Sequence, residues 1–347
     1  MKVLRRAALF VVVPLAVALV AGYAWYRTSE TGQRWRYEDR LTSYCAGLIP
    51  LEESAVFTGY NTEVGLPLDR QRNSGDDAFH FCKVADMEVS VGQVPAEAGE
   101  ALMRGDSILG ELAPSSPDFL PMALGGGWYG YTDLQSTGIV LACTDRPGYV
   151  VVDVESDASH TNRQEARDVA ELAAGIGRKA ADHWSCTAEP GGPVPPLSES
   201  AGESFPKPQS ATGTCQGLSI PYDDLQIHWI KESRASAATP VERCVLGETR
   251  ARDEELYWLS AYYGPYAQAR RAATYESSLR DEPAGVAPGR AWATASCPGA
   301  PKALFTITAT EYANGADTRF LVDTLSAFAE RSAKRHGCTD LRLPSGR

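Results

Sequence analysis

The chain has 347 residues, with 33 basic against 44 acidic side chains and a net charge of -11 when histidine is neutral. That balance argues against nucleic acid, anionic lipid or an anionic wall polymer as a simple electrostatic partner. None of the eight cysteines is in Cys-x-x-Cys spacing, and His80, His160, His183, His228 and His336 are scattered without a ligand-like pair, which argues against a zinc site.

In chain order, Lys2, Arg5 and Arg6 form a short basic start, and Ala7 to Tyr26 is a run of 20 uncharged residues. At 1.5 Å per residue such a helix covers about 30 Å, the thickness of a bilayer core. Tyr23, Trp25, Tyr26 and Arg27 at its end have the character of an interfacial aromatic belt with a flanking charge. The expected arrangement is a cytoplasmic tail at 1–6, a transmembrane anchor at 7–26 and a polar stalk at 27–44, helical around Arg34 to Leu41. The positive-inside rule puts the remainder of the chain outside the cell. The alternative is a signal peptide cleaved after Ala16-Val-Ala18, giving a secreted protein. Without the basic residues at 2, 5, 6 and 27, the external part keeps 29 basic against 44 acidic residues.

Beyond the stalk a four-cysteine pattern occurs twice. Cys45, Cys82, Cys143 and Cys186 are spaced 37, 61 and 43 apart; Cys215, Cys244, Cys297 and Cys338 are spaced 29, 53 and 41 apart. Flanking residues repeat too. Cys45-Ala-Gly-Leu48-Ile-Pro50-Leu-Glu-Glu matches Cys215-Gln-Gly-Leu218-Ser-Ile-Pro221-Tyr-Asp-Asp in outline, and a Pro/Gly turn follows both Cys143 and Cys297. The reading is a duplication, with one extracytoplasmic repeat at 45–186 and a second at 215–343. Between them, 187–214 has 14 Pro, Gly or Ser among 28 residues and reads as a flexible coil that lets the repeats face one another or swing apart.

Strands are expected over Phe79 to Val94, Trp128 to Thr132, Ile139 to Ala142 and Val150 to Glu155. In the second repeat they are expected over Leu225 to Lys231, Arg243 to Thr249, Glu255 to Tyr263, Ala291 to Ser296 and Leu304 to Thr310. Alternation of Val150, Val152 and Val154 with Asp153 and Glu155 predicts a half-buried strand. A capping box at Thr161-Asn-Arg-Gln164 opens a helix with Val169, Ala173, Ile176 and Ala180 on one face, and Leu321, Leu325 and Phe328 mark its counterpart after Asp317. Four cysteines allow three pairings. A strand that runs out from Cys143 and a helix that returns to Cys186 favour Cys143 with Cys186 and Cys297 with Cys338. Cys45 then pairs with Cys82, and Cys215 with Cys244. The fold class is α+β: two tandem homologous domains after one transmembrane helix, each an antiparallel sheet packed with helices.

The opening Cys-x-Gly-Leu, the second cysteine on a strand and the closing helix resemble extracytoplasmic domains of unknown function in actinobacterial membrane proteins and lipoproteins, some with a PsbP-like sandwich. The resemblance implies a non-catalytic envelope domain and carries over no functional residues. This chain lacks a lipid-bearing cysteine after its apolar segment.

No catalytic, cofactor or metal residue stands out. Gly125-Gly-Gly-Trp128-Tyr129-Gly-Tyr131 lacks the Lys-Ser/Thr ending of a phosphate loop, which leaves Trp128, Tyr129 and Tyr131 as candidate binding aromatics against a core-packing alternative. Leu256 to Tyr266 is apolar on both strand faces, so one face is expected against the helix and the other against the partner domain or a ligand, with ordinary core packing as the alternative. The acidic pairs Glu52-Glu53, Asp76-Asp77 and Asp223-Asp224 are adjacent residues that point in different directions and say little about the cross-chain separation that glycoside cleavage needs. The expected function is a membrane-anchored binding or scaffold protein of the envelope, with an unknown ligand or envelope protein as partner. Its rivals are an enzyme with a site between the repeats and an accessory subunit of another membrane protein.

Overall fold

A computed structural model describes residues 8–73, 78–96, 107–112, 120–156, 162–197, 205–220, 227–248, 254–273, 277–299, 302–313 and 317–345. A π-helical turn, Ala8–Val12, leads into α1 (Val13–Thr28). Phe10–Thr28 has a mean hydropathy of 1.6 and none of it is buried; among the described residues it is the one helix long and apolar enough to cross a bilayer. Such a helix followed by four disulfides fits a membrane-anchored or secreted extracytoplasmic protein.

The N-terminal half begins with α2 (Glu30–Leu41), α3 (Leu51–Thr58) and α4 (Thr62–Gly65). Seven strands then form an antiparallel sheet: β1 (Asp69–Arg72), β2 (Phe79–Val84), β3 (Met87–Val94), β4 (Met122–Ala123), β5 (Gly130–Thr132), β6 (Ser136–Ala142) and β7 (Tyr149–Ser156), in the order β1-β2-β3-β7-β6-β5-β4. A short helix, α5 (Ile108–Glu111), packs on β3, and the long α6 (Arg163–His183) covers β6 and β7. Val169, Leu172, Ala173 and Ile176 of α6 meet Val150, Val152 and Val154 of β7 in one core. Each large aliphatic side chain so buried contributes about 1.5–3 kcal/mol.

The C-terminal half forms a second sheet from β8 (Trp229–Glu232), β9 (Val241–Gly247), β10 (Glu255–Tyr262), β11 (Gly285–Ala287), β12 (Arg290–Ser296), β13 (Ala303–Ala309) and β14 (Thr339–Arg342). Its order is β8-β9-β10-β13-β12-β11, with β14 also pairing β12. Strand for strand this repeats β1-β2-β3-β7-β6-β5. Helices α7 (Pro265–Ala272) and α8 (Ser277–Asp281) follow β10, and α9 (Thr318–Arg335) closes the half on β12 and β13. Asp317 caps α9 by accepting the amide of Arg319, and Leu321, Leu325 and Phe328 are buried beneath it.

The two sheets turn their second faces towards each other and share one core. Phe79, Phe81, Tyr131, Val140 and Val151 from the first half pack with Val241, Tyr262, Trp292 and Leu304 from the second, with Tyr266 and Ala267 of α7 among them. Layers therefore run α6, first sheet, second sheet, α9. This arrangement answers the open question about Leu256 to Tyr266: Leu259 and Ala261 face α9, and Tyr262 faces the other sheet.

Four local expectations are corrected. Phe79 to Val94 is a hairpin rather than one strand; its turn, Ala85–Asp86, carries no glycine or asparagine signal, and Ala85 itself adopts φ 55°. The β7 strand is buried on both faces, because the second sheet covers Val151 and Asp153. The cap of α6 lies one residue later than expected, where Asn162 Oδ1 accepts the Glu165 amide at 2.9 Å; Thr161 lies outside the described residues. Residues 187–197 are a strap bound to the first half rather than a coil. The Trp128 indole donates to Gly192 O at 2.7 Å, Val194 is fully buried, and its amide and carbonyl are held by Glu171 and Arg167. On the other side, Pro206 O accepts from Ile230 and the Thr212 amide donates to Glu232. The Pro- and Gly-rich composition thus serves close packing, which propensity reasoning does not separate from flexibility.

Candidate functional site

Four disulfides join Cys45 to Cys82, Cys143 to Cys186, Cys215 to Cys244 and Cys297 to Cys338, each within one half. Two of them hold the first cysteine of a half against the second strand of its sheet. In both places a carboxylate directly across the ladder from the strand cysteine receives the amide of the first cysteine. Asp69, opposite Cys82, accepts from Cys45 N at 3.0 Å; Glu232, opposite Cys244, accepts from Cys215 N at 3.0 Å. The other two tie the end of the closing helix to the start of the preceding strand-to-strand turn.

Those two turns, one from each half, meet at one end of the paired sheets and frame a cleft of about 440 Å³. Tyr129, Val140, Thr144, Tyr149 and Glu189 line it from the first half, and Tyr263, Gly264, Cys297, Gly299, Arg335 and His336 from the second. The volume is in the range of small-molecule sites, and the mixture of aromatic faces with a few polar groups suits one. Two hydrogen bonds between the halves brace it: Tyr149 hydroxyl to Gly299 O at 2.8 Å, and Gly130 N to Ala238 O at 3.0 Å.

The floor is an ion-pair cluster. Glu242 on β9 is 0% exposed and takes Arg335 Nη1 on both oxygens at 2.7 Å. Ser332 Oγ donates to it at 2.6 Å, and His336 Nε2 is 3.2 Å away. Burial alone would push the Glu242 carboxyl up, but the hydrogen bond from His336, the charge of Arg335 and the Ser332 hydroxyl hold it below the usual carboxylate range. The Tyr263 ring stacks on His336 with centroids 3.7 Å apart, and its hydroxyl bonds Ser332 at 2.6 Å. The last turn of α9 is thereby fastened to β9, and its ionisable groups are engaged with one another. Tyr129 and Tyr263 have phenols pushed far above their ordinary value, first by burial and further by a neighbouring phenol and the Glu242 carboxylate, so both stay neutral hydroxyls. Burial pushes the Tyr149 phenol up to about 12, with the same result.

The three candidate aromatics separate. Trp128 is buried beneath the strap with Arg178 over its ring at 5.4 Å, Tyr129 lines the cleft, and Tyr131 lies in the inter-sheet core edge-on to Tyr266 at 5.4 Å. Neighbours in sequence point to opposite faces of a strand, so Tyr129 and Tyr131 share neither strand face nor environment with Trp128. Of the acidic pairs, Glu52 and Glu53 form ion pairs with Arg34 and Arg178 respectively; Asp76-Asp77 and Asp223-Asp224 lie outside the described residues. Among the described residues no three His, Cys, Asp or Glu side chains converge as a metal site would require. The residues that build the cleft, Tyr149, Tyr263, Arg335 and His336, carry no local motif. Tyr149 lies near the third cysteine of the first repeat, Arg335 and His336 lie near the fourth of the second, and Tyr263 belongs to the apolar run Leu256 to Tyr266.

No family model, no curated protein and no solved structure matches the chain.

Proposed function

We propose that the chain is a membrane-anchored extracytoplasmic binding protein of the cell envelope whose ligand enters the cleft between the two halves. Its basic N-terminus lies in the cytoplasm and its folded body outside. The observation that carries the reading is the cleft itself, built jointly by equivalent turns of the two halves and walled by Tyr129, Tyr149 and Tyr263. The ligand is a small polar molecule with a flat face that packs on tyrosine and groups that hydrogen-bond neutral phenols. An enzymatic reading has less support, because Glu242, Arg335 and His336 are engaged with one another.

We further propose that the halves are homologous domains, residues 45–186 and 215–343, derived from one duplicated unit of the kind found in actinobacterial envelope proteins. Their common strand order supports this, as do the matched disulfides and the repeated carboxylate opposite the strand cysteine.

The test is retention of small molecules. Purified full chain in detergent is incubated with a size-fractionated envelope extract, and bound compounds are identified by mass spectrometry. Wild type is expected to retain a compound that a Tyr129→Ala variant of equal melting temperature does not. Equal retention by both, or by neither, would sink the cleft as the binding site.

A further inference from the structure

We propose that α2 lies in the headgroup region of the bilayer that α1 spans, and seats the folded body against the membrane at a set angle. The proposal rests on the reading of Phe10–Thr28 as a spanning segment and goes beyond it, since a spanning helix alone is equally compatible with a body hanging on a loose tether.

The junction has no slack. Only Ser29, at φ -79° and ψ 149°, separates the two helices, and its side chain caps α2 by accepting the Gly32 amide at 3.0 Å. At Gly32 a Cβ would collide with the carbonyl of Tyr26, so the close crossing of α2 over the end of α1 requires glycine. A helix C-terminus leaves carbonyls without intrahelical donors. Here the Arg36 guanidinium supplies donors, one to Tyr26 O and one to Arg27 O at 3.1 Å, while Ser29 N donates to Trp25 O. These carbonyls lie at the depth where water thins out, which makes their satisfaction by protein groups valuable.

The far side of α2 belongs to the body. Tyr37 and Leu41 are buried, Tyr37 hydroxyl bonds Ser54 at 2.9 Å, and Arg34 pairs with Glu52 while lying over Tyr60 at 5.7 Å. One helix thus grips the anchor and the body at once.

Trp35 identifies the occupant. Two residues before Tyr37 on a helix of 3.6 residues per turn, it stands on the opposite side from the body and is 51% exposed. Its ring meets Trp25 of α1 edge-on at 5.7 Å, and Arg36 and Arg27 lie over Tyr26 and Tyr23 at 5.1 and 5.9 Å. Tyr23, Trp25 and Tyr26 within one turn of α1, with Trp35 against Trp25, therefore gather amphipathic rings flanked by guanidinium groups at one level, the composition that a membrane interface selects. An indole left half in water has no such reason to be there.

The experiment is photolabelling of the full chain reconstituted in phosphatidylcholine vesicles containing a phosphatidylcholine with a diazirine next to its glycerol backbone. Digestion after glutamate separates α1 from residues 31–38, which contain Trp35. Adducts are expected on both peptides, with the second adduct lost in Trp35→Gln, a surface change that leaves the fold intact, and in Gly32→Val. Adducts on the α1 peptide alone would overturn the seat while leaving the spanning reading in place. Adducts on neither would remove the spanning reading and the seat with it.

Discussion

The hydroxyl of Tyr266, on α7 of the second half, occupies the space that a side chain at Gly138, on β6 of the first half, would need. The ring passes through the inter-sheet core against Tyr131, and its hydroxyl donates to Asp153 Oδ1 at 3.2 Å. This one insertion registers the two sheets against each other.

Gly138→Ala is expected to destabilise the protein by about 1–3 kcal/mol, the cost of overpacking a filled core. Tyr266→Phe removes the obstructing oxygen and should recover part of that loss when combined with it. Denaturant melts of the two single variants and the double variant give the coupling energy. Because the halves share the core, each variant should melt in a single transition; separate transitions of the two halves would contradict a common core.

Asp153 supplies a pH dependence. Its burial raises the carboxyl far above the ordinary range and the charge of Glu155 adds to this, against the lowering effect of the Tyr266 hydrogen bond; Asp133 and Glu111 add like charge. A folded value above the unfolded one, near 3.9, means that the favourable contribution is complete below the unfolded value and is lost as pH rises through the folded value. Asp153→Asn should therefore be more stable than wild type at neutral pH, with the difference shrinking towards pH 4. Paired melting curves across that range measure it.

Glu242 has the opposite sign. Its lowered carboxyl contributes stability above the unfolded value that is lost as pH falls through the folded one. Glu242→Gln should cost about 3 kcal/mol at neutral pH, the low end for a broken buried pair, because Arg335 retains partial access to water. The loss should narrow on acidification, and chemical melts at several pH values would register it.

Replacing Cys143 and Cys186 together with serine is expected to lower stability by about 2–4 kcal/mol, somewhat under the loop-entropy value for a closed loop of this size. Thr144 and Tyr149 stand on the turn that this bond secures, so ligand retention by the cleft should fall as well. Melting unchanged by the double substitution would show that the bond is not a structural staple.

Much of the architecture is present in local pattern. The period-2 run at Val150 to Glu155 and the helical faces at Val169 to Ala180 and Leu321 to Phe328 correspond to β7, α6 and α9, because period and burial are coupled within a single element. The turn at Ala85 escaped, since no residue there advertises a positive φ. Edge strands β1 and β14 escaped as well: Asp69–Arg72 and Thr339–Arg342 are mostly exposed and carry no alternating apolar signal. Of the three aromatics that composition offers as binding residues, the structure brings Tyr129 to the cleft, buries Trp128 on the opposite face beneath the strap and places Tyr131 between the sheets.

Spacing, periodicity and an even cysteine count are properties of a linear chain, so they suffice for the apolar helix, the twofold cysteine frame and the α+β class. The pairing of the sheets, the burial of Asp153 and Glu242 and the cleft framed by Tyr149 and Tyr263 depend on contacts between residues far apart in the chain, such as Tyr266 with Asp153, Tyr149 with Gly299 and Arg335 with Glu242. Such contacts arise from which second face each sheet must hide from water. A run that is apolar on both faces, as Leu256 to Tyr266 is, marks a strand as covered twice, but it does not encode which part of the chain lies against the second face.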